Sequence, residues 1–209
     1  MKKLVAKKLI ENNCVKFSPL KPFTYASGLK GPIYCDNRLV LGHLEFRNFL
    51  IEQFLILIKE NSIQFDTIGG LATAGIPMAA FLADRMQMPM VYVRPKPKEH
   101  GKKNQVEGFY KIDETVLLIE DLINQGSSIS GAMMGIKDAG LKSNTCLSIV
   151  DYQMPKAILN LKENHLKLFS LTNFEGLLDA AIELNILNEN EINLLSNWHK
   201  DPITWEKNL

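Results

Sequence analysis

The chain has 209 residues, 46% of them hydrophobic and 22% charged, which is enough apolar material for a sizeable core and makes a single domain the working expectation. A formal net charge of +1 excludes a protein that wraps nucleic acid through a broadly basic surface, so any anion chemistry must be local. Three scattered cysteines, Cys14, Cys35 and Cys146, form no CxxC pair; they offer neither a disulfide framework nor a zinc site and suit a reducing, cytoplasmic setting.

In chain order, Met1-Lys2-Lys3 and residues 4–10 have the outline of a leader, but Lys7 and Lys8 break the apolar run and a short amphipathic helix is expected instead. Two strand-like stretches, residues 14–17 and 33–36, are separated by Gly28, Gly31 and Pro32. They are expected to build a small hood, within residues 1–40, over the main sheet. Leu44–Glu60 carries Leu50, Phe54, Leu57 and Ile58 at helical spacing and predicts a largely buried helix. Its apolar run at 54–58 falls far short of the roughly twenty residues of a membrane span.

Thr67–Leu71 predicts a buried strand, residues 72–75 a tight loop, and residues 76–86 a helix with Pro77 in its first turn. Met90–Val93 is the next strand. Residues 94–108 have almost no apolar content, and a loop of that length in a compact domain is usually functional or disordered. A second strand, loop and helix follow at 115–119, 120–128 and 129–139, the helix ending at Gly140. Strands at 145–150 and 166–170 and helices at 156–163, 174–184 and 189–198 complete an α/β fold with a mostly parallel central sheet flanked by helices.

The strongest chemical signal is the run Ile119-Glu120-Asp121-Leu122-Ile123-Asn124-Gln125-Gly126-Ser127-Ser128 after a buried strand. Open α/β sheets bind ligands at the carboxyl ends of their strands, where the two acids are expected. Gly126 lets backbone approach closely, and Ser127 and Ser128 lead into a helix amino terminus that favours a phosphate. Glu120 or Asp121 can accept hydrogen bonds from sugar hydroxyls or hold a magnesium ion. A lone acidic pair here would more often complete the helix macrodipole, with Ser127 as a cap; the whole pattern favours a sugar-phosphate site.

The second signal is the segment from Arg94 to Lys103. It sets Arg94, Lys96, Lys98, His100, Lys102 and Lys103 against Glu99 alone. Most such runs are solvated surface, but Pro95 and Pro97 stiffen the stem, and Gly101 and Gly108 are placed as hinges for a lid.

The acidic run resembles the phosphoribosyl pyrophosphate (PRPP) signature of type I phosphoribosyltransferases. The basic segment is similar to the catalytic loop of the orotate phosphoribosyltransferases within them. Phe23-Thr24-Tyr25-Ala26-Ser27-Gly28-Leu29-Lys30-Gly31-Pro32-Ile33-Tyr34 and residues 69–77 also resemble that family, so the matched stretches run from Phe23 to Ser128 in its order.

The resemblance implies transfer of the phosphoribosyl group of PRPP to orotate in pyrimidine biosynthesis. It implies a homodimer whose loop, residues 94–108, reaches the partner's site, with magnesium accompanying PRPP. Lys98, His100 and Asp121 would be catalytic. PRPP would be held by Thr73, Ala74 and Gly75, by Arg94, Lys96, Lys98 and His100, and by Glu120, Asp121, Leu122, Ile123, Asn124, Gln125, Gly126, Ser127 and Ser128. Orotate would meet Lys30, Tyr34, Cys35 and Asn124.

The chain departs from the family at several of these positions. Gly31 stands where a serine is usual, Ala26 and Ala74 where some members have lysine, and Pro95 where a lysine often follows the arginine. Asn124 replaces a common threonine or serine. Tyr152 lies where many members place an arginine that pairs with the orotate carboxylate, and it cannot make that bidentate pair. A phosphoribosyltransferase for another base and a non-catalytic PRPP-sensing regulator are the open alternatives.

Overall fold

The computed structural model describes residues 1–25, 28–97 and 104–205. Helix α1 (Lys2–Glu11) precedes four short strands, β1 (Val15–Phe17), β2 (Phe23–Thr24), β3 (Lys30–Gly31) and β4 (Ile33–Cys35), and a 3-10 turn at Asn37–Gly42. Helix α2 (Leu44–Glu60), β5 (Thr67–Leu71), α3 (Gly75–Met86), β6 (Met90–Val93) and β7 (Val106–Glu107) follow. The second half holds β8 (Thr115–Ile123), α4 (Ser127–Asp138), β9 (Lys142–Asp151), α5 (Pro155–Glu163), β10 (Lys167–Asn173), α6 (Phe174–Glu183) and α7 (Glu189–Lys200).

The central sheet has six strands in the order β10-β9-β8-β5-β6-β7, every pair parallel except the antiparallel β6–β7 edge. Strands covered on both faces read as unbroken apolar runs, and Val116, Leu117, Leu118 and Ile119 are at most 1% exposed. Burying each contributes about 1.5–3 kcal/mol. That gain outweighs the cost of carrying the same strand into the charged pair that follows.

The strand does continue. Residues 120–123 belong to β8, where the sequence predicted a loop, because β9 also runs on to Asp151 and pairs Glu120 with Ser148 and Ile123 with Asp151. The basic segment is likewise shorter than the predicted loop at 94–108: β7 folds back antiparallel on β6, joining Val106 to Val93. The Gln105 side chain donates to the Arg94 carbonyl at 2.7 Å and to the Gly131 carbonyl of α4 at 2.9 Å, fixing the stem to the domain. A Cβ at residue 135 would fall 2.7 Å from the Gln105 side chain, so Gly135 makes room for this tie.

The hood consists of two antiparallel ribbons, β1 with β4 and β2 with β3. Residue 31 is glycine because Tyr25 fills its side-chain space: a Cβ there would lie 2.2 Å from the Tyr25 hydroxyl, which donates to the Ile33 carbonyl. The predicted amino-terminal helix forms and packs its buried Val5, Ala6 and Leu9 with α6, while Lys3 and Lys7 pair with Glu183. No helix among the described residues is long and apolar enough to cross a membrane.

Candidate active site

From β5 the chain winds outward through β6, and from β8 it winds the opposite way through β9 and β10, so the strand order reverses between β5 and β8. Parallel sheets open a crevice at such a point, outside the carboxyl ends of the two strands. Two loops border it. Residues 72–74 join β5 to α3, and residues 124–126 join β8 to α4.

Glycines set both loops. A Cβ on Gly75 would lie 2.2 Å from the Ile119 carbonyl oxygen, so only glycine lets α3 start against the end of β8. Gly126 has φ +69°, and a Cβ there would meet Ala157 Cα at 3.0 Å. Asn160 of α5 donates to the carbonyls of Gln125 and Gly126 at 3.2 Å each, holding the loop from behind. Ser127 and Ser128 are exposed in the first turn of α4, where no side chain caps the helix and no acid occupies the first turn. Ile129 N–H in that turn donates to the Gly126 carbonyl at 3.1 Å, while the Ser127 and Ser128 amides before it lie at a helix amino terminus, a natural position for an anion.

Glu120 is 6% exposed. Burial and then the neighbouring Asp121 charge push its carboxyl well above the ordinary value; a hydrogen bond to Asp121 adds to this, while the Asp121 amide, 3.0 Å from Oε1, and Ser128 oppose it. Glu120 therefore holds its proton more firmly than an exposed glutamate does. Because the folded state holds that proton above the unfolded pKa of 4.5, the Glu120 contribution to stability is fully present below that pH and is lost as pH rises toward the folded value. Glu120→Gln should accordingly raise the melting temperature of the ligand-free protein more at pH 7.5 than at pH 4.5; an equal effect at both would show that Glu120 is not buried in its acid form.

Asp121 is half-buried, and its carbonyl receives the Asn37 side-chain amide at 2.9 Å, tying the hood to the site. Ile123 is completely buried and its carbonyl accepts from Tyr152 N–H at 2.9 Å, so of the signature's two aliphatic residues it serves the core. Thr73 is exposed beside half-buried Ala74. Among the described residues no group of three or more His, Cys, Asp or Glu is arranged to hold a metal ion.

A cavity of about 280 Å3 joins the start of the β5–α3 loop and the first turns of α4 to the basic stem, lined by Leu71, Ala72, Arg94, Ser127, Ser128 and Gly131 among others. Arg94 is one of the lining residues, its guanidinium 3.5 Å from Glu107. Lys96 is exposed one step beyond. Lys98 and His100 lie outside the described residues.

The four residues assigned to orotate do not all meet. Strand alternation sends Tyr34 outward, 37% exposed, where its ring packs 5.5 Å from Phe23, while Cys35 turns inward and its Sγ lies 3.3 Å from Asn37 Oδ1. Burial first and the Asp121 charge second push the Cys35 thiol well up, so it is a neutral thiol. Lys30 and Asn124 do come together, lining a second cavity with Tyr25, Gln125, Trp198 and Pro202. The last two come from α7 and the turn after it, and nothing near residues 198–202 in the sequence signals a site.

Residues 47–169 match the family model described as the phosphoribosyl transferase domain. The chain is 40% identical over 202 residues to the orotate phosphoribosyltransferase of Coxiella burnetii, covering 97% of each, and 42% identical over 207 residues to that of Listeria innocua, covering 99% of each. The crystal structure of orotate phosphoribosyltransferase from Aeropyrum pernix superposes with a TM-score of 0.75 at 27% identity, covering 88% of this chain and 99% of that one. With the acidic pair, the glycine-bordered loops and the strand reversal in place, this chain belongs to the orotate phosphoribosyltransferase family of type I phosphoribosyltransferases.

Proposed function

We propose that the protein joins orotate to the ribose of PRPP, giving orotidine 5-phosphate and pyrophosphate in pyrimidine biosynthesis, and that it works in the cytoplasm. The observation that carries this is the β8–α4 junction, where Glu120 and Asp121 stand at the end of β8 just before the glycine-set loop and the uncapped start of α4, in a chain about 40% identical to orotate phosphoribosyltransferases over nearly its whole length.

The 5-phosphate rests on the amides and hydroxyls of residues 124–128, and the ribose hydroxyls bond to Glu120 and Asp121. The pyrophosphate lies along Thr73, Ala74 and Gly75, with Arg94 and Lys96 toward its far side. Lys98 and His100, from the basic loop, supply positive charge and a proton donor as the leaving group develops charge. The C1–O bond to pyrophosphate breaks with its electron pair leaving on oxygen. The ring nitrogen of orotate forms the new bond to C1 as its N–H bond breaks and the proton passes to the departing pyrophosphate, and no protein nucleophile takes part.

Magnesium fits this arrangement as a partner of PRPP: Asp121 offers a hard oxygen ligand, and the ion would neutralise charge on the diphosphate oxygens. The loop closes to keep water from the activated sugar. It serves the neighbouring site in a homodimer.

A base panel tests the reaction. With PRPP and magnesium fixed, pyrophosphate release should be faster with orotate than with adenine, hypoxanthine, xanthine or uracil. A preference for any of these four would overturn the orotate reading and leave the phosphoribosyl chemistry standing.

A further inference from the structure

The register of β5 with β8 ends at Gly70 and Ile119, whereas β8 runs on beside β9 to Ile123. Past that point side chains hold the main chain of Asp121. Its N–H donates to Glu120 Oε1 at 3.0 Å, and its carbonyl accepts from the Asn37 side-chain amide at 2.9 Å. Asn37 comes from the hood end of the chain, 84 residues earlier, and is 3% exposed. A buried polar side chain that reaches this far to meet one of the two acids is placed to do more than close a turn.

Both ends of the Asn37 amide are used. Its Oδ1 accepts from Cys35 Sγ at 3.3 Å, and burial keeps that thiol neutral and able to donate. Turning the amide over would set its oxygen against the Asp121 carbonyl, two acceptors facing each other, so the partners fix which end carries the N–H. The turn that presents Asn37 is itself held. Asp36 accepts from Arg38 Nε at 2.6 Å and from Arg38 Nη2 at 2.8 Å, and Asp36 N–H donates to the Cys14 carbonyl at 2.7 Å. Cys35, Asn37 and the Asp121 carbonyl thus form one hydrogen-bonded chain from β4 to β8.

We propose that Asn37 is a positioning residue for the reaction, fixing through the Asp121 carbonyl the backbone from which the Asp121 carboxylate is presented and so coupling the hood to the acids of β8. It acts through Asp121 and touches no reacting atom. The inference rests on the reading above, in which Asp121 bonds to the ribose of PRPP. A shift of about 1 Å in a group that orients substrate can cost about a hundredfold in rate, so this one hydrogen bond matters more to turnover than to folding.

Asn37→Ala should lower kcat about ten- to a hundredfold in assays run well below its melting temperature, where loss of folded protein plays no part. Asn37→Asp keeps the shape but can donate to the Asp121 carbonyl only when its carboxyl is protonated. The titratable and charged groups about this position include Glu120 and Asp121 of β8, Tyr152 after β9, and Cys14, Cys35 and the Asp36–Arg38 pair of the hood. They are common to parent and variants, so each kcat is read as a ratio to the parent at the same pH. Burial beside two acids favours the protonated form, and the Asn37→Asp ratio should rise at least about fivefold from about pH 8.5 to about pH 5.5 while the Asn37→Ala ratio stays flat. Asn37→Asp carries the test if Asn37→Ala does not fold. An Asn37→Ala kcat within about twofold of the parent, or an Asn37→Asp ratio that does not change with pH, overturns the positioning role. A parent enzyme that releases no pyrophosphate from PRPP with orotate instead overturns the reaction itself, so the two failures are told apart by the unmutated protein.

Discussion

Asp121→Ala should lower turnover about a hundred- to a thousandfold, the range found when one group that stabilises a transition state is removed, with little change in melting temperature. The scaffold contact at this position uses the Asp121 carbonyl, which accepts from Asn37 and survives the substitution. The carboxylate itself is half-buried beside Glu120, and its assigned role is toward substrate. A loss of stability that accounts for the lost activity would contradict the assignment.

The same variant addresses the shared loop. Lys98→Ala should also cost turnover far more than stability. If the loop serves the partner's site, a mixed dimer of Lys98→Ala and Asp121→Ala subunits contains one site with both residues intact. Random mixing of the two inactive proteins should then restore about one quarter of the parent activity in a two-fold dimer. Mixtures that stay inactive would mean that each loop closes over its own chain.

Gly75→Ala is expected to lose stability, about 1–3 kcal/mol, together with activity. The added methyl would stand 2.2 Å from the Ile119 carbonyl oxygen, and that oxygen belongs to a strand paired on both sides, so neither partner can yield without moving β8 against α3. The displacement falls on the loop assigned to pyrophosphate and on the two acids together. Thermal unfolding and the PRPP KM should both shift; a variant with parental values for each would show that the approach of α3 to β8 is looser than described.

Much of the fold was legible where local pattern and tertiary demand coincide. Strands β5 and β6 fall on the predicted residues because short apolar runs between glycines, prolines and polar residues leave a buried strand few alternatives. The end of β8 was not legible. Charge at Glu120 and Asp121 breaks the apolar pattern, but the backbone stays in the ladder because β9 supplies partners as far as Asp151. Strand β7 escaped notice for a similar reason: two residues beside a polar loop carry no period, and their pairing depends on β6 and on Gln105 reaching α4.

The site divides along the same line. The acidic pair, Gly126 and the serines lie within ten residues of one another, and their spacing already places them at a strand-to-helix junction. The orotate residues were assigned along a single strand segment, where alternation sends Tyr34 and Cys35 to opposite sides. What the sequence could not bring together is Lys30 and Asn124 with Trp198 and Pro202, which meet only after α7 docks beside the hood.

The central claim is tested most directly by incubating the purified protein with PRPP, magnesium and orotate and following orotate consumption and pyrophosphate release together. The expected result is one pyrophosphate for each orotate consumed, with neither change when PRPP is omitted. PRPP binding without any orotate-dependent pyrophosphate would contradict the account and point to a regulator that kept the fold and lost the reaction.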